Sequence, residues 1–219
     1  SQPEDRMHPI PSDVQYNIPA VICNGSRHQR SHILSSARHA DRFLTDTETC
    51  QDSNTSVFYT VQCGYFSNEN NANQILSSIN GKYSAFIYKD QDKFRVLSGV
   101  YESDKVDQIV SELKNSNIEC AKIKFSFNND DKVEYQISSI CDGYIRLLDT
   151  AFSDDVKSIN TDDFKGWTNE LEKISAGEKV DILNNLKEHI SNLAAEISKE
   201  NVPAEMEYIY TILLNFKDI

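Results

Sequence analysis

Gln62, Arg95 and the aromatics Tyr65, Phe86 and Tyr88 are the residues whose types could do recognition chemistry, and Leu97 joins them by position. An amide both donates and accepts, a guanidinium presents a fixed fork of donors, and an aromatic ring offers a flat apolar surface. Sugars show weakly polar C–H faces that stack on rings, together with hydroxyl and N-acetyl groups that need donors and acceptors. The mixture therefore suits a carbohydrate. Catalytic types do not assemble in the same way. There is no nucleophile and base at recognisable spacing, no paired-carboxylate signature and no phosphate-binding loop. The expectation is a binding protein that is not an enzyme and needs no cofactor. Cys23, Cys50, Cys63, Cys120 and Cys141 form an odd set without CxxC or zinc-type Cys/His spacing, so no metal site is expected. His189 is a lone helical histidine and reads as structural.

The elements that must position these residues are legible in the pattern. Val57 to Gly64 alternates with period two and is dense in β-formers, so it reads as a strand ending at a glycine. Ser67–Asn70 supplies an N-cap, Ala72, Ile75, Leu76 and Ile79 follow at helical spacing, and Gly81 closes the helix. Tyr83 to Lys89 and Phe94 to Gly99 are strands joined by an Asp90-Gln91-Asp92 turn. A helix capped by Ser103-Asp104 and a strand from Ala121 to Phe127 complete a βαββαβ order. Val61, Gly64 and Phe66 recur as Val96, Gly99 and Tyr101, each time just before a helix, which reads as an internal repeat. Both helices are expected on one face of the sheet.

Alternation assigns the faces. Tyr59, Val61 and Cys63 turn to the helices and leave Phe58, Thr60 and Gln62 on the other side. Ala85, Ile87, Phe94 and Val96 likewise go inward, leaving Phe86, Tyr88, Arg95 and Leu97 outward. Two readings of that outer face stand side by side. It is an open groove, or Phe86 and Tyr88 are buried against C-terminal helices, with Arg95 in a sheet-face salt bridge. Past Lys132 the stripes become helical, around Tyr144, around Trp167, from Val180 to Ile197, and after Pro203. The expected organisation is 1–55 as an anomalous disordered segment, 56–130 as the βαββαβ unit and 131–219 as a helical bundle, α+β in all.

With a net charge of −12 over 219 residues, a partner held by charge alone, such as nucleic acid or an anionic membrane, is disfavoured. The 39% hydrophobic content is that of a globular protein, and no window reaches the roughly 18 consecutive apolar residues of a spanning helix.

Gln62-Cys63-Gly64-Tyr65-Phe66 followed by Ala72, and Phe94-Arg95-Val96-Leu97-Ser98-Gly99-Val100-Tyr101 in the second half, together resemble the SPOR (sporulation-related repeat) family over about 57–127. The resemblance implies a ferredoxin-like sheet that binds peptidoglycan glycan strands stripped of their peptides across its outer face. Gln62, Tyr65, Phe86, Tyr88, Arg95 and Leu97 would be the contacts. It further implies a cell-envelope, extracytoplasmic protein of division or sporulation, with division or envelope proteins as partners of the helical part. The competing reading is a protein- or RNA-binding ferredoxin-like module. RNA recognition would want a basic surface that this chain lacks. If the last strand lies antiparallel beside the first, Cys63 and Cys120 meet on the helix side, where some family members carry a disulfide. Such a bond would contribute about 4 kcal/mol in the chain-entropy model.

Residues 1–55 depart from the rest. They hold His8, His28, His32 and His39 with five arginines, whereas the first lysine is Lys82. No apolar periodicity there would fix Arg27 to His32 as a metal or anion site, and no anchor or signal pattern is present.

Overall fold

The protein is described from a computed structural model, which covers residues 54–217. The expectations for 1–55, with Cys23, Cys50 and four of the histidines, fall outside these residues apart from Asn54 and Thr55. Cys50–Ile219 form one compact unit.

The βαββαβ order is β1 (Thr55–Phe66), α1 (Glu69–Ile79), β2 (Phe86–Asp90), β3 (Lys93–Glu102), α2 (Ser103–Asn115) and β4 (Ala121–Asn128). The sheet runs β2-β3-β1-β4 and all three pairings are antiparallel. Local chemistry sets these boundaries. The Asn68 side chain accepts from the Asn70 N–H at 2.8 Å to cap α1, and Gly81 takes φ +89° just after it, a conformation favouring glycine. The second strand starts later than the sequence pattern suggests, because Tyr83 to Ala85 pack into the core before regular pairing begins at Phe86.

The remaining elements are α3 (Lys132–Phe152), β5 (Ser158–Asn160), α4 (Asp162–Glu170), α5 (Val180–Ser191), β6 (Glu196–Ser198), α6 (Val202–Leu213) and a 3₁₀ turn at Leu214–Phe216. Asp131 caps α3 by accepting from Val133 and Glu134, each at 2.9 Å. α3, at 21 residues, is the long helix of this region. The stripe from Val180 to Ile197 is interrupted, because α5 stops at Ser191 and Ile197 instead pairs with Ile159 across a two-stranded ribbon. Its apolar residues point to one core from two different elements, so helical periodicity alone overruns the break. His189 Nε2 lies 2.7 Å from Glu205 Oε2, and the Tyr144 hydroxyl donates to the same oxygen at 2.5 Å.

Two cores flank the sheet. One lies between the sheet and α1/α2 and holds Val61, Ala72, Ile79, Val96, Val106 and Leu113. The other holds Phe58, Phe86, Leu97, Val100, Phe125 and Phe127 from the strands. It joins them to Ile137, Tyr144 and Leu148 of α3 and to Met206, Ile209 and Tyr210 of α6. The segments expected as consecutive domains 56–130 and 131–219 thus share one core. The outer sheet face is not an open groove. Tyr210 meets Phe86, Tyr88 and Phe125 at ring distances of 5.9, 5.0 and 6.0 Å, and Phe216 stacks on Phe127 at 4.0 Å. α6 is apolar on more than one side, which a helix between two packed layers must be.

Candidate functional site

Two compensating irregularities in the β1–β3 ladder build the site. Thr60 faces Val100 but Gln62 faces Leu97, so β3 carries an extra residue at Ser98–Gly99. Gln62 faces Leu97 but Gly64 faces Val96, so β1 carries one at Cys63. Each bulge exchanges the faces of the residues beyond it. Uninterrupted alternation from Val61 would turn Tyr65 toward α1 and Phe66 away from it. The bulge reverses this, so that Phe66 joins the helix-side core and Tyr65 sits beside Arg95 on the outer face. The two glycines serve these bends. Gly99 has φ +140°, and the Phe66 ring occupies the space a Cβ on Gly64 would need.

Tyr65, Arg95 and Tyr88 now form a row across three strands. The Arg95 guanidinium is held on every side. Nε and Nη2 donate to Asp90 Oδ2 at 3.2 and 2.7 Å, and Nη1 donates to Gln62 Oε1 at 2.5 Å. Its plane lies 4.4 Å from the Tyr65 ring centroid, and the Tyr65 hydroxyl donates to the same Asp90 oxygen at 3.0 Å. Hydrogen bonds from Arg95 first, then from Tyr65, hold the Asp90 carboxyl below the usual carboxylate range. Tyr65 itself is 42% exposed. Lys93 Nζ stands 4.9 Å from its centroid.

Of the six residues expected to contact glycan, Gln62, Tyr65 and Arg95 come together at this end of the face. Phe86 and Leu97 do not, being 4% and 0% exposed beneath α6. Their expected openness is corrected for a physical reason: a phenyl and an isobutyl group are more stable in the core they share with Tyr210 and Met206 than facing water. Tyr88 is half-buried edge-on to Tyr210. Asp90 and Lys93 were missed by sequence reasoning, which assigned Asp90 to the turn. The available signal was a carboxylate five residues before a lone arginine across a tight hairpin.

Cys63 and Cys120 are both thiols. Gln62 pairs with Ala121 at the end of the β1–β4 ladder, and Cys63 and Cys120 are the next residues beyond that pair, Cys120 standing just before β4 begins. Burial first, then the charge of Cys120, push the Cys63 thiol up to about 12. Elsewhere, a groove of about 390 Å³ between the start of β1, the end of β3 and α3 is lined in part by Glu102, Asp142 and Arg146. Burial, then the neighbouring Asp142, push the Glu102 carboxyl up, while Arg146 Nε lies 3.1 Å from both carboxylates. None of the six residues expected to contact glycan lines this groove. Among the described residues no cluster of His, Cys, Asp or Glu could hold a metal ion, and no helix is long and apolar enough to cross a membrane.

No curated protein matches the chain. Among solved structures, the peptidoglycan binding domain of the B. subtilis cell wall lytic enzyme CwlC, determined in solution, is similar at 24% identity and a TM-score of 0.30. The likeness covers 37% of this chain and 98% of that one. The SPOR domain model matches residues 55–124, which span β1 to the first half of β4 and include both bulges and the Gln62–Tyr65–Asp90–Arg95 cluster. Residues 55–124 are therefore a SPOR domain, set in a larger α+β unit whose helices cover part of the outer face of its sheet.

Proposed function

We propose that this protein binds peptidoglycan glycan strands, without catalysing their cleavage, at the uncovered end of the sheet. The observation that carries the reading is the exposed Tyr65 ring, turned outward by a bulge within the SPOR domain and backed by a guanidinium that is itself fixed. A sugar ring can lie on such an aromatic, and the Gln62 amide adjoins it through Arg95. The contact area is smaller than a whole sheet face, because α6 and the closing 3₁₀ turn occupy the rest. Strands freed of stem peptides suit it best, since a single exposed ring beside a tight hairpin needs close approach. By the same resemblance the protein works at the extracytoplasmic cell envelope, in division or sporulation, where its helical surface would meet division or envelope proteins.

Co-sedimentation of the full chain with purified sacculi, before and after amidase treatment, tests the reading. Binding that rises on removal of the peptides supports it. A folded protein that stays in the supernatant under both conditions refutes it and favours a different partner for the domain. An envelope location also fits oxidation of Cys63 and Cys120, which the strand pairing brings alongside each other. Intact mass of the envelope-extracted protein without reductant should be 2 Da below the all-thiol value.

A further inference from the structure

Resting on that reading, we propose that Lys93 is the specificity-determining residue, and that it reads the carboxylate left on each muramoyl lactyl group when the stem peptide is removed. Cleavage of the lactyl–peptide amide changes the strand chemically in one way at the sugar. A neutral amide becomes a carboxylate. A surface that prefers stripped strands can use that charge only if it offers a cation not already committed.

Arg95 is committed. Its three nitrogens donate to Asp90 and Gln62, and Asp90 cancels its charge. Arg95 is therefore a positioning residue that holds the Tyr65 ring. Lys93, at the start of β3, has its ammonium 4.9 Å from the same ring, and among the described residues no carboxylate lies within ion-pair distance of it. The Asp90 carboxylate, opposite Lys93 in the hairpin register, is turned instead to Arg95 and Tyr65. An ammonium beside an exposed ring matches a carboxylate carried beside a sugar ring. The lactyl group branches from the sugar itself, so the two contacts fall within one residue's reach.

The test compares two preparations of amidase-treated glycan strands: one with free lactyl carboxylates, and one in which they have been coupled to methylamine by carbodiimide. Binding of full-length wild-type, Lys93→Gln and Lys93→Arg proteins is measured to each. The wild-type chain should bind the free-carboxylate strands about threefold more tightly, the magnitude of an exposed ion pair. Lys93→Gln should bind both preparations at the lower level, and Lys93→Arg should keep the preference. Equal wild-type binding to both preparations, or a Lys93→Gln loss of the same size on both, overturns the role of Lys93 while leaving glycan binding intact. Absence of binding to either preparation overturns the glycan reading itself, so the two failures are distinguishable.

Discussion

Leu97 and Arg95 lie two residues apart on one strand and on one face of one sheet, yet one is sealed in the core and the other organises the candidate site. The difference lies not in the strand but in what stands over it. Over Leu97, Phe86 and Phe125 the side chains of α6 complete an apolar layer. Over Tyr65 and Arg95 no such apolar layer is formed among the described residues, and the residues there are polar and answer one another. The outer face of the sheet is divided into a part covered by α6 and an uncovered part to which the proposed function assigns recognition. The boundary runs through Tyr88, which touches Tyr210 with its ring edge while sitting in the row with Arg95.

The covered part should be the more sensitive by far. Phe125→Ala removes a fully buried ring from between the strands and Tyr210, and should cost about 3–5 kcal/mol of unfolding free energy in a urea titration. Glycan binding by the fraction that remains folded should be unchanged. A loss below about 1 kcal/mol would mean that the helices sit loosely on the sheet and that the face is closer to an open groove.

The uncovered part should show the opposite pattern. Tyr65→Ala should leave stability within about 0.5 kcal/mol, as for an exposed side chain away from the core. It should weaken binding to amidase-treated sacculi roughly tenfold, the effect of losing a central aromatic contact. If Phe125→Ala and Tyr65→Ala instead lowered stability and binding in parallel, the division of the face would be wrong.

The sequence made some of this division legible and hid the rest for identifiable reasons. Alternation placed Phe58, Phe86, Tyr88, Arg95 and Leu97 on the outer face correctly, because the pleat has period two and both bulges lie elsewhere. It could not place Tyr65, whose face depends on the residue inserted at Cys63, and a bulge leaves no periodic trace. It also could not say whether the outer face was open. That depended on long-range docking of α6, for which the only local sign was a helix with apolar residues on several sides, Met206, Ile209, Tyr210 and Leu213. The cap at Asn68 was readable because its hydrogen bond reaches only two positions. The expected Ser103-Asp104 cap is corrected: both residues lie inside α2, whose N-cap is Glu102 with no side-chain cap bond. The cap at Asp131 was not singled out. The end of α5 was not, because Ile197 serves the same core from a strand.

The smallest effect sharpens the comparison at its boundary. Asp90 has its carboxyl held below the ordinary value by Arg95 and Tyr65, so its ionised form is favoured in the folded protein. The sign follows: this contribution to stability is present above the unfolded carboxyl value and is lost as pH falls through the lower folded value. Unfolding measured between pH 6 and pH 2.5 should therefore show Asp90→Asn with a weaker acid dependence than the wild type, by an amount appropriate to a pair exposed at the surface. Glycan binding should fall over the same acid range, since protonated Asp90 no longer fixes the guanidinium behind Tyr65. An Asp90→Asn protein that matches the wild type in both curves would show that Tyr65 holds its place by stacking on Arg95 alone.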